Sequence, residues 1–445
     1  MAIALVAALA VGSAGPAVAE TIVEAMSDAY NTNPDLGAQR AVLRQTDERV
    51  SQALANWRPS IVISGEAGLG RFRSTQILKF QNLRPHVAEI SLTQPIFRGL
   101  RTLAETRATE AEVQAARAQL QQKEQDVLLA AITIYLDVLR DESVVKLQQS
   151  NVGVLGQQLT ATNARFGVGE LTRTDVAQAE ARLAGARADL IRAQADLAIS
   201  RAIYQRVIGH PPGKLVDPKS LGAVPKTEEE TITLASENNP NVRVALYRVD
   251  AAGSRVDLAF GVLLPTVSLQ ANASRAYDQN FHGDRFERYE LIAQVTIPLY
   301  QNGAEYSRVR EAKQFWGQRR LELDSARRIA IEQATRAWRN YQTELARIQS
   351  ITTQINSAAV ALEGVRQEAQ VGSRTTLEVL NAEQELLNAK VSFVRTQHDA
   401  NIAYYQVLVA IGQLQARSLA LPVQYYDEEA YYKENRFKWL GLSIN

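Results

Sequence analysis

The sequence predicts a mainly α-helical fold with a small β part, built from two copies of one structural unit. Matched residues stand 206 positions apart before the predicted strands, as Pro34 and Pro240 do. After the strands the separation is 203 residues, as between Gly209 and Gly412. A register kept over this length indicates two supersecondary units that bury their faces against neighbours. The sequence therefore predicts an internal two-fold repeat and a ring-like assembly.

The composition excludes several classes of function. The 445 residues include 49 basic and 48 acidic side chains, so nothing indicates a surface for nucleic acid. Cysteine is absent, which excludes disulfides, thiolate metal sites and a cysteine nucleophile. The four histidines lack metal-ligand spacing and are expected to be surface residues: His86, His210, His282 and His398. With no catalytic constellation, the sequence predicts no enzyme activity, no cofactor and no metal site.

Residues 1–19 are expected to be a signal peptide. They form an apolar run in which Ala17 and Ala19 are placed as in a signal-peptidase site, so we expect cleavage before Glu20. The usual basic start is missing, which predicts a truncated leader or a misassigned start codon. The alternative is a membrane-spanning helix, but Gly12 and Pro16 shorten the apolar run below the roughly 20 residues required. Every later apolar stretch is interrupted by charges, so a membrane crossing would require strands.

Four segments alternate apolar and polar side chains with a period of two, which predicts strands. They lie at about 60–74, 86–97, 265–277 and 288–299. Each is long enough for a tilted strand to cross a bilayer, and aromatic residues cluster at the ends, as at a lipid interface. A soluble sheet with one wet face has the same period and stays an alternative. Four strands are too few to close a barrel, so closure would require several chains.

Long helices are predicted after each strand pair, at about 99–165 and 303–369. Val113, Leu120 and Val127 recur at intervals of seven, which predicts coiled-coil packing. A helix of about 67 residues is roughly 100 Å long at 1.5 Å per residue. Each long helix is expected to reverse at a glycine-containing tip and to return in a shorter helix.

These elements predict a division of the chain into five parts. After the signal peptide come a first repeat, an inter-repeat linker, a second repeat and a C-terminal segment. The aromatic and charged C-terminal segment is expected to pack around the waist of the helical part. The predicted ranges are 1–19, 20–208 with a tip at about 166–172, 209–230, 231–412 with a tip at about 369–375, and 413–445.

Several motifs carry a resemblance to a known family, among them SLTQPIF at 91–97, AAITIYLDVLR at 130–140, RFGVG at 165–169 and VGSRTTLEVLNA at 371–382. With them, the chain resembles the TolC-like outer-membrane channels of Gram-negative bacteria over essentially its full length. The resemblance implies a homotrimer in which long helical hairpins form a periplasmic α-barrel, or tunnel. A 12-stranded outer-membrane β-barrel with four strands per chain would cap this tunnel and contact outer-membrane lipid.

The same resemblance implies a function and partners. The chain would be the outer-membrane exit duct of multidrug efflux or type I protein secretion systems. It would dock to a periplasmic adaptor, or membrane fusion protein, and to an inner-membrane pump of the resistance-nodulation-division or ABC type. The alternative is a soluble periplasmic coiled-coil scaffold, which would not need detergent for extraction.

The resemblance also assigns roles at the tips. Thr174, Asp175 and Arg374 match a latch that holds the tunnel mouth shut, and Asp175 with Glu378 and Asn381 matches a selectivity ring. Ala369 replaces the tyrosine of the family's best-known latch, and Asn381 is uncharged, so we expect a less tightly closed entrance and a weaker preference for cations. The alternative roles are a solvated tip residue for Arg374 and a helix-surface carboxylate for Glu378. The expected adaptor-docking residues are Val168, Gly169, Glu170, Leu171, Val371, Gly372, Ser373 and Arg374.

Overall fold

The computed structural model describes residues 20–74, 77–218 and 224–443. The predicted signal peptide at 1–19 lies outside these residues. In the first copy of the repeat the helices and strands are α1 (Ile22–Thr32), α2 (Pro34–Ala55), β1 (Ser60–Ala67), β2 (Gly70–Ser74), β3 (Ile77–Leu83), β4 (His86–Arg98), α3 (Arg101–Gly167) and α4 (Arg173–Ile208). In the second copy and beyond they are α5 (Glu228–Asn238), α6 (Pro240–Phe260), β5 (Thr266–Tyr277), β6 (Arg285–Thr296), α7 (Ala304–Gln370), α8 (Thr376–Ala410) and α9 (Ala430–Asn435).

The two copies begin with the same local signals. Thr21 and Thr227 accept N–H hydrogen bonds that cap α1 and α5. Each of these helices ends before a proline, and Pro34 and Pro240 start the following helices, because a proline N1 residue loses no hydrogen bond there. The long helices α3 and α7 have 67 residues each. The mainly α fold with a small β part and an internal repeat is confirmed.

The main sheet has four antiparallel strands in the order β1-β4-β5-β6. Strands β4 and β5 lie in the middle, so β1 and β6 are the two outer strands. All residues of β1 and β6 are exposed in the single chain. The alternation predicted from the sequence therefore places apolar side chains on a sheet face that this chain does not cover.

The predicted strand at 60–74 is two strands. Pairing of β1 with β4 ends at Ala67 and His86, because the preceding Pro85 has no N–H to continue the ladder. The Gly68 N–H instead donates to the Pro85 carbonyl over 2.8 Å. The chain then continues into a separate two-stranded sheet of β2 and β3. The alternation in the sequence did not reveal this break.

The chain divides into two compact units. The first contains the described residues of Met1–Gln39, Gln121–Pro240 and Arg328–Tyr425. Its core includes a cluster of small side chains that allows close helix packing, formed by Ala235, Ala334, Ala337, Val407 and Ala410. A second cluster lies on the hairpins of long helices and is formed by Leu155, Leu183, Ala186 and Leu380.

The second unit contains Arg40–Leu120, Asn241–Arg327 and Tyr426–Asn445, and therefore the sheet and the end of the chain. Its C-terminal segment is held against α2 and α3. The Tyr431 hydroxyl donates to Glu48 over 2.8 Å, and Arg436 and the Tyr432 hydroxyl both donate to Glu110. Ordered polar contacts of this kind show a packed segment rather than a free tail.

Among the described residues, no helix combines the length and the apolar character that a bilayer crossing requires.

Candidate functional site

The two helical hairpins reverse in turns of the same geometry. Gly169 and Gly372 have φ angles of 81° and 79°, in the left-handed region that favours glycine. Their N–H groups donate to carbonyls three residues earlier, and the next N–H in each copy donates five residues back. This pair of bonds satisfies the last carbonyls of α3 and α7, as a glycine-terminated helix requires. The predicted glycine-containing tips are present in both copies, and each glycine forms a left-handed cap.

The return helices α4 and α8 begin with matching capping boxes. The Asp175 carboxylate accepts the backbone N–H and the hydroxyl of Thr172 over 2.9 and 2.7 Å. The Glu378 carboxylate accepts the corresponding groups of Thr375 over 2.8 and 3.0 Å. Both predicted ring carboxylates therefore stabilise helix N-termini, where a negative charge is favourable.

These hydrogen bonds keep both carboxylates ionised. The hydroxyl and backbone N–H of Thr172 lower the pKa of Asp175 below its ordinary value. At the second tip, the Thr375 backbone N–H and then the Arg374 guanidinium lower the pKa of Glu378 to about 2. Both positions accordingly carry a full negative charge throughout the physiological pH range.

Arg374 joins the two ends of its own tip. Its Nε donates to Glu368 Oε2 over 2.8 Å, and its Nη1 donates to Glu378 Oε1 over 2.7 Å. Among the described residues, no hydrogen bond or ion pair links Arg374 to Thr174 or Asp175. Arg374 is thus brought together with one predicted ring residue and with Glu368, a residue that the sequence did not single out. The spacing of six residues across the glycine turn is the signal that could have identified Glu368.

Asn381 contacts the other hairpin. Its Oδ1 accepts a hydrogen bond from Arg182 Nη2 over 2.8 Å, which links α8 to α4. Asn381 has no charge, so this hydrogen bond does not neutralise the positive charge of Arg182. The local charge at this contact is therefore more positive than it would be with a carboxylate at position 381.

Ala369 lines a cavity of about 440 Å³ beside the tips. Side chains from α3, α7 and α8 also form its wall, including Thr162, whose buried hydroxyl has no hydrogen-bond partner among the described residues. Arg366 and Glu383 line it as well and form an ion pair over 2.8 Å. The small alanine side chain thus borders open space where a tyrosine would extend.

The prediction that His398 is a surface residue was wrong. This side chain is only 8% exposed. Its two ring nitrogens lie 2.9 Å from oxygens of Asp137 and Asp399. Residue 398 lies on the face of α8 that meets α3, so Asp137 replaces the water that a surface histidine would bind.

Comparison with known proteins decides the family. A family model described as outer membrane efflux protein matches residues 25–210 and 231–431. The chain belongs to this family. The outer membrane efflux protein BepC of Brucella suis is 34% identical over 428 residues, covering 96% of this chain and 92% of BepC. Outer membrane protein TolC of Vibrio cholerae is 27% identical over 420 residues, covering 91% of this chain and 94% of TolC.

A solved structure shows the fold of an outer membrane efflux protein. The outer membrane channel CmeC of Campylobacter jejuni superposes with a TM-score of 0.79 at 15% identity, covering 93% of this chain and 89% of CmeC. Further relatives are named for the secretion of proteases. The resemblance, the channel fold and the outer-membrane location predicted from the sequence are confirmed, and the soluble scaffold is not favoured.

Proposed function

We propose that this outer membrane efflux protein is a passive exit duct whose periplasmic entrance is formed by the two helical tips. The main support for this proposal is that the two tips have the same local structure. Each has a left-handed glycine followed by a capping box with an ionised carboxylate. The chain belongs to the outer membrane efflux proteins, and the proposed duct would work with a periplasmic adaptor and an inner-membrane pump.

The proposed assembly is a homotrimer. The outer strands β1 and β6 leave rows of backbone groups without partners in the single chain, and such edges pair with other strands. If β1 of one chain paired with β6 of the next, the sheets of three chains would join into one closed β-barrel. The exposed apolar side chains of β6, such as Leu291 at 71% and Val295 at 59%, would then face lipid.

The proposed gate is a set of reversible ion pairs at the tips. Arg374 carries the positive charge, and Thr174 and Asp175 of a neighbouring tip are its proposed latch partners. Glu368 and Glu378 already bind the two edges of this guanidinium within one chain. These groups are exposed in the single chain, so solvent screening keeps each ion pair weak and readily reversible. Because Ala369 stands in place of an aromatic side chain, the proposed latch depends mainly on Arg374.

Single-channel conductance in planar bilayers tests this function. We expect small, cation-selective steps for the native protein and larger steps for Arg374→Ser, because the substitution removes the positive end of the tie. The matched control is Arg347→Ser, which removes an exposed arginine on α7 that forms an ion pair with Glu344 along its own helix. No steps from native trimers would contradict the duct, whereas equal steps from all three proteins would contradict only the gate.

We also propose that the turns themselves dock the adaptor. Val168 and Val371 are strongly exposed apolar side chains of the two turns, with 74% and 81% of their surface accessible. Exposed apolar side chains beside charged ones are typical of protein interfaces. The remaining docking residues named above surround these two valines.

A further inference from the structure

Glu20, Asp28 and His210 come together in the first unit, although they are distant in sequence. Glu20 precedes α1, Asp28 lies on α1, and His210 follows the end of α4. His210 Nε2 lies 3.3 Å from Asp28 Oδ2 and 3.7 Å from Glu20 Oε1. One nitrogen and two carboxylate oxygens, all within 4.8 Å of one another, are a set of atoms that could bind a metal ion.

The orientation of the His210 ring favours a cation between these groups. Its Nδ1 lies 3.0 Å from the Pro211 carbonyl oxygen, which can only accept a hydrogen bond, so Nδ1 carries the hydrogen. In the neutral ring, Nε2 then presents its lone pair to two negatively charged carboxylates. This is unfavourable unless Nε2 is protonated or a metal cation lies between the three groups. A metal-binding histidine commonly donates its other N–H to a backbone carbonyl in this way.

His398 shows the contrasting arrangement. Its two ring nitrogens face different carboxylates, those of Asp137 and Asp399, on opposite sides of the ring. Each nitrogen there can share one proton with its own partner. At His210 a single nitrogen faces two carboxylates: a proton on Nε2 can hydrogen-bond to Asp28 over 3.3 Å but not to Glu20 at 3.7 Å, whereas a metal ion can contact all three groups.

The Glu20 carboxylate is held in position before any ion binds. Its Oε2 accepts the Gly213 N–H over 3.1 Å, and the hydroxyl of the buried Tyr204 donates to its Oε1. The backbone N–H of Glu20 donates to the Lys214 carbonyl over 2.9 Å. Only 11% of the Glu20 side chain is exposed. Such fixed orientation favours a ligand group of a specific site over a freely moving surface carboxylate.

We propose that Glu20, Asp28 and His210 form a binding site for a divalent cation of the zinc class. Zinc binds histidine nitrogen and carboxylate oxygen at about 2.0–2.2 Å, so neighbouring ligand atoms of a tetrahedral site lie roughly 3.3–3.6 Å apart. The two distances from His210 Nε2 are close to this value. A water molecule would supply the fourth ligand. The bound ion would fasten the start of α1 to the end of α4.

The second copy of the repeat shows that the fold does not require these three side chains. The corresponding residues are Lys226, Leu234 and Gln413, which cannot form the site. The backbone features around them are shared, since Gly209 and Gly412 both have positive φ angles. The sequence predicted no metal site because the three ligands come from separate segments with no local spacing.

Metal titration of the full chain in detergent tests the proposal. Protein freed of metal with a chelator is titrated with Zn²⁺ alone in a calorimeter, and with Co²⁺ alone to record its visible spectrum. We expect one ion per chain, with Co²⁺ bands of tetrahedral intensity and a melting temperature raised by zinc. His210→Gln and Asp28→Leu, which introduce the second-copy residues, should weaken binding at least tenfold.

The control is His282→Gln, which removes an exposed histidine that faces a single carboxylate, Asp278. It should bind zinc as the native chain does. Asp28→Asn replaces Asp28→Leu if circular dichroism shows that the leucine variant is misfolded. Binding that survives His210→Gln, an equal loss in His282→Gln, an octahedral Co²⁺ spectrum or no zinc binding by the native chain would overturn the site.

Discussion

Asp47 is a buried carboxylate whose charge has no hydrogen-bond partner. It is 3% exposed, and neither oxygen is hydrogen-bonded within the described parts of the chain. Burial raises the pKa of Asp47 to about 6, while Arg117 opposes the change and Glu48 adds to it. A carboxyl group with a raised pKa binds its proton more tightly in the folded state, so folding is penalised as the pH rises.

We expect Asp47→Asn to stabilise the protein at pH 8 and to change little at pH 4. The penalty develops between the ordinary pKa of 3.8 and about 6 and is complete above it, reaching about 3 kcal/mol as an upper limit. Thermal unfolding of both proteins across this pH range measures the difference. Asp324→Asn, at a mostly exposed aspartate, is the control and should show no such pH dependence. A constant difference at every pH would contradict the buried-charge explanation.

Residue roles were only partly predictable from the sequence. Glu378 and Asp175 follow threonine by three residues, a local spacing that identifies a capping box. Glu368 and His398 were missed because their partners are set by a turn and by packing between α3 and α8. These capping boxes were not predicted, although their local spacing is visible in the sequence, whereas contacts across helices required the structure.

At the scale of elements, the chain reversals depend on glycines in the left-handed region. Gly412 and Gly372 have nearly equal φ angles of 75° and 79°. Their surroundings differ, because a Cβ at Gly412 would lie 2.4 Å from the Asn238 carbonyl oxygen. A Cβ at Gly372 would have no atom within 4 Å. An alanine at Gly372 would introduce backbone strain alone, whereas an alanine at Gly412 would add a steric clash with Asn238.

We expect Gly372→Ala to cost about 1–2 kcal/mol, the price of a left-handed alanine. Gly412→Ala should cost clearly more, since the Asn238 backbone must move as well. Melting temperatures of the two variants in detergent, with Gly364→Ala near the C-terminal end of α7 as a control, measure the difference. A Gly412 variant no less stable than the Gly372 variant would show that the close approach to Asn238 is unimportant.

The helices were more predictable than the strands. The heptad residues Val113, Leu120 and Val127 are all buried, as the spacing of seven indicated. The hairpin of β2 and β3 was missed, since its separation from β1 depends on Pro85 and on register rather than on alternation. Helical periodicity extends over many turns, while a strand boundary depends on a single missing N–H.

For the whole molecule, the face of β6 determines whether the sheet can enter lipid. Leu291 lies at the middle of the strand on the apolar face, and Gln294 lies on the opposite face. In the proposed trimer, Leu291 faces the hydrocarbon of the bilayer and Gln294 faces the interior of the barrel. A charge is therefore tolerated at only one of them.

We expect Leu291→Arg to reduce the amount of trimer in the outer membrane, because arginine at the bilayer midplane costs about 2–4 kcal/mol. Gln294→Arg is the matched control and should assemble normally. Membrane fractionation followed by native electrophoresis gives the amount of trimer for each. Equal assembly of both variants would contradict the lipid-facing assignment of β6.

The constant offset between the two copies has a consequence for how the sequence can change over evolution. A ring of six identical chains would repeat every mutation at all six positions. In the proposed trimer of duplicated chains, a mutation in one copy would alter only every second position, and the other copy would retain its original residue. A single mutation at the tips would therefore change three of six equivalent positions, and the equivalent residues Asp175 and Glu378 already differ in this way. A deleterious change in one copy would leave the three residues of the other copy intact.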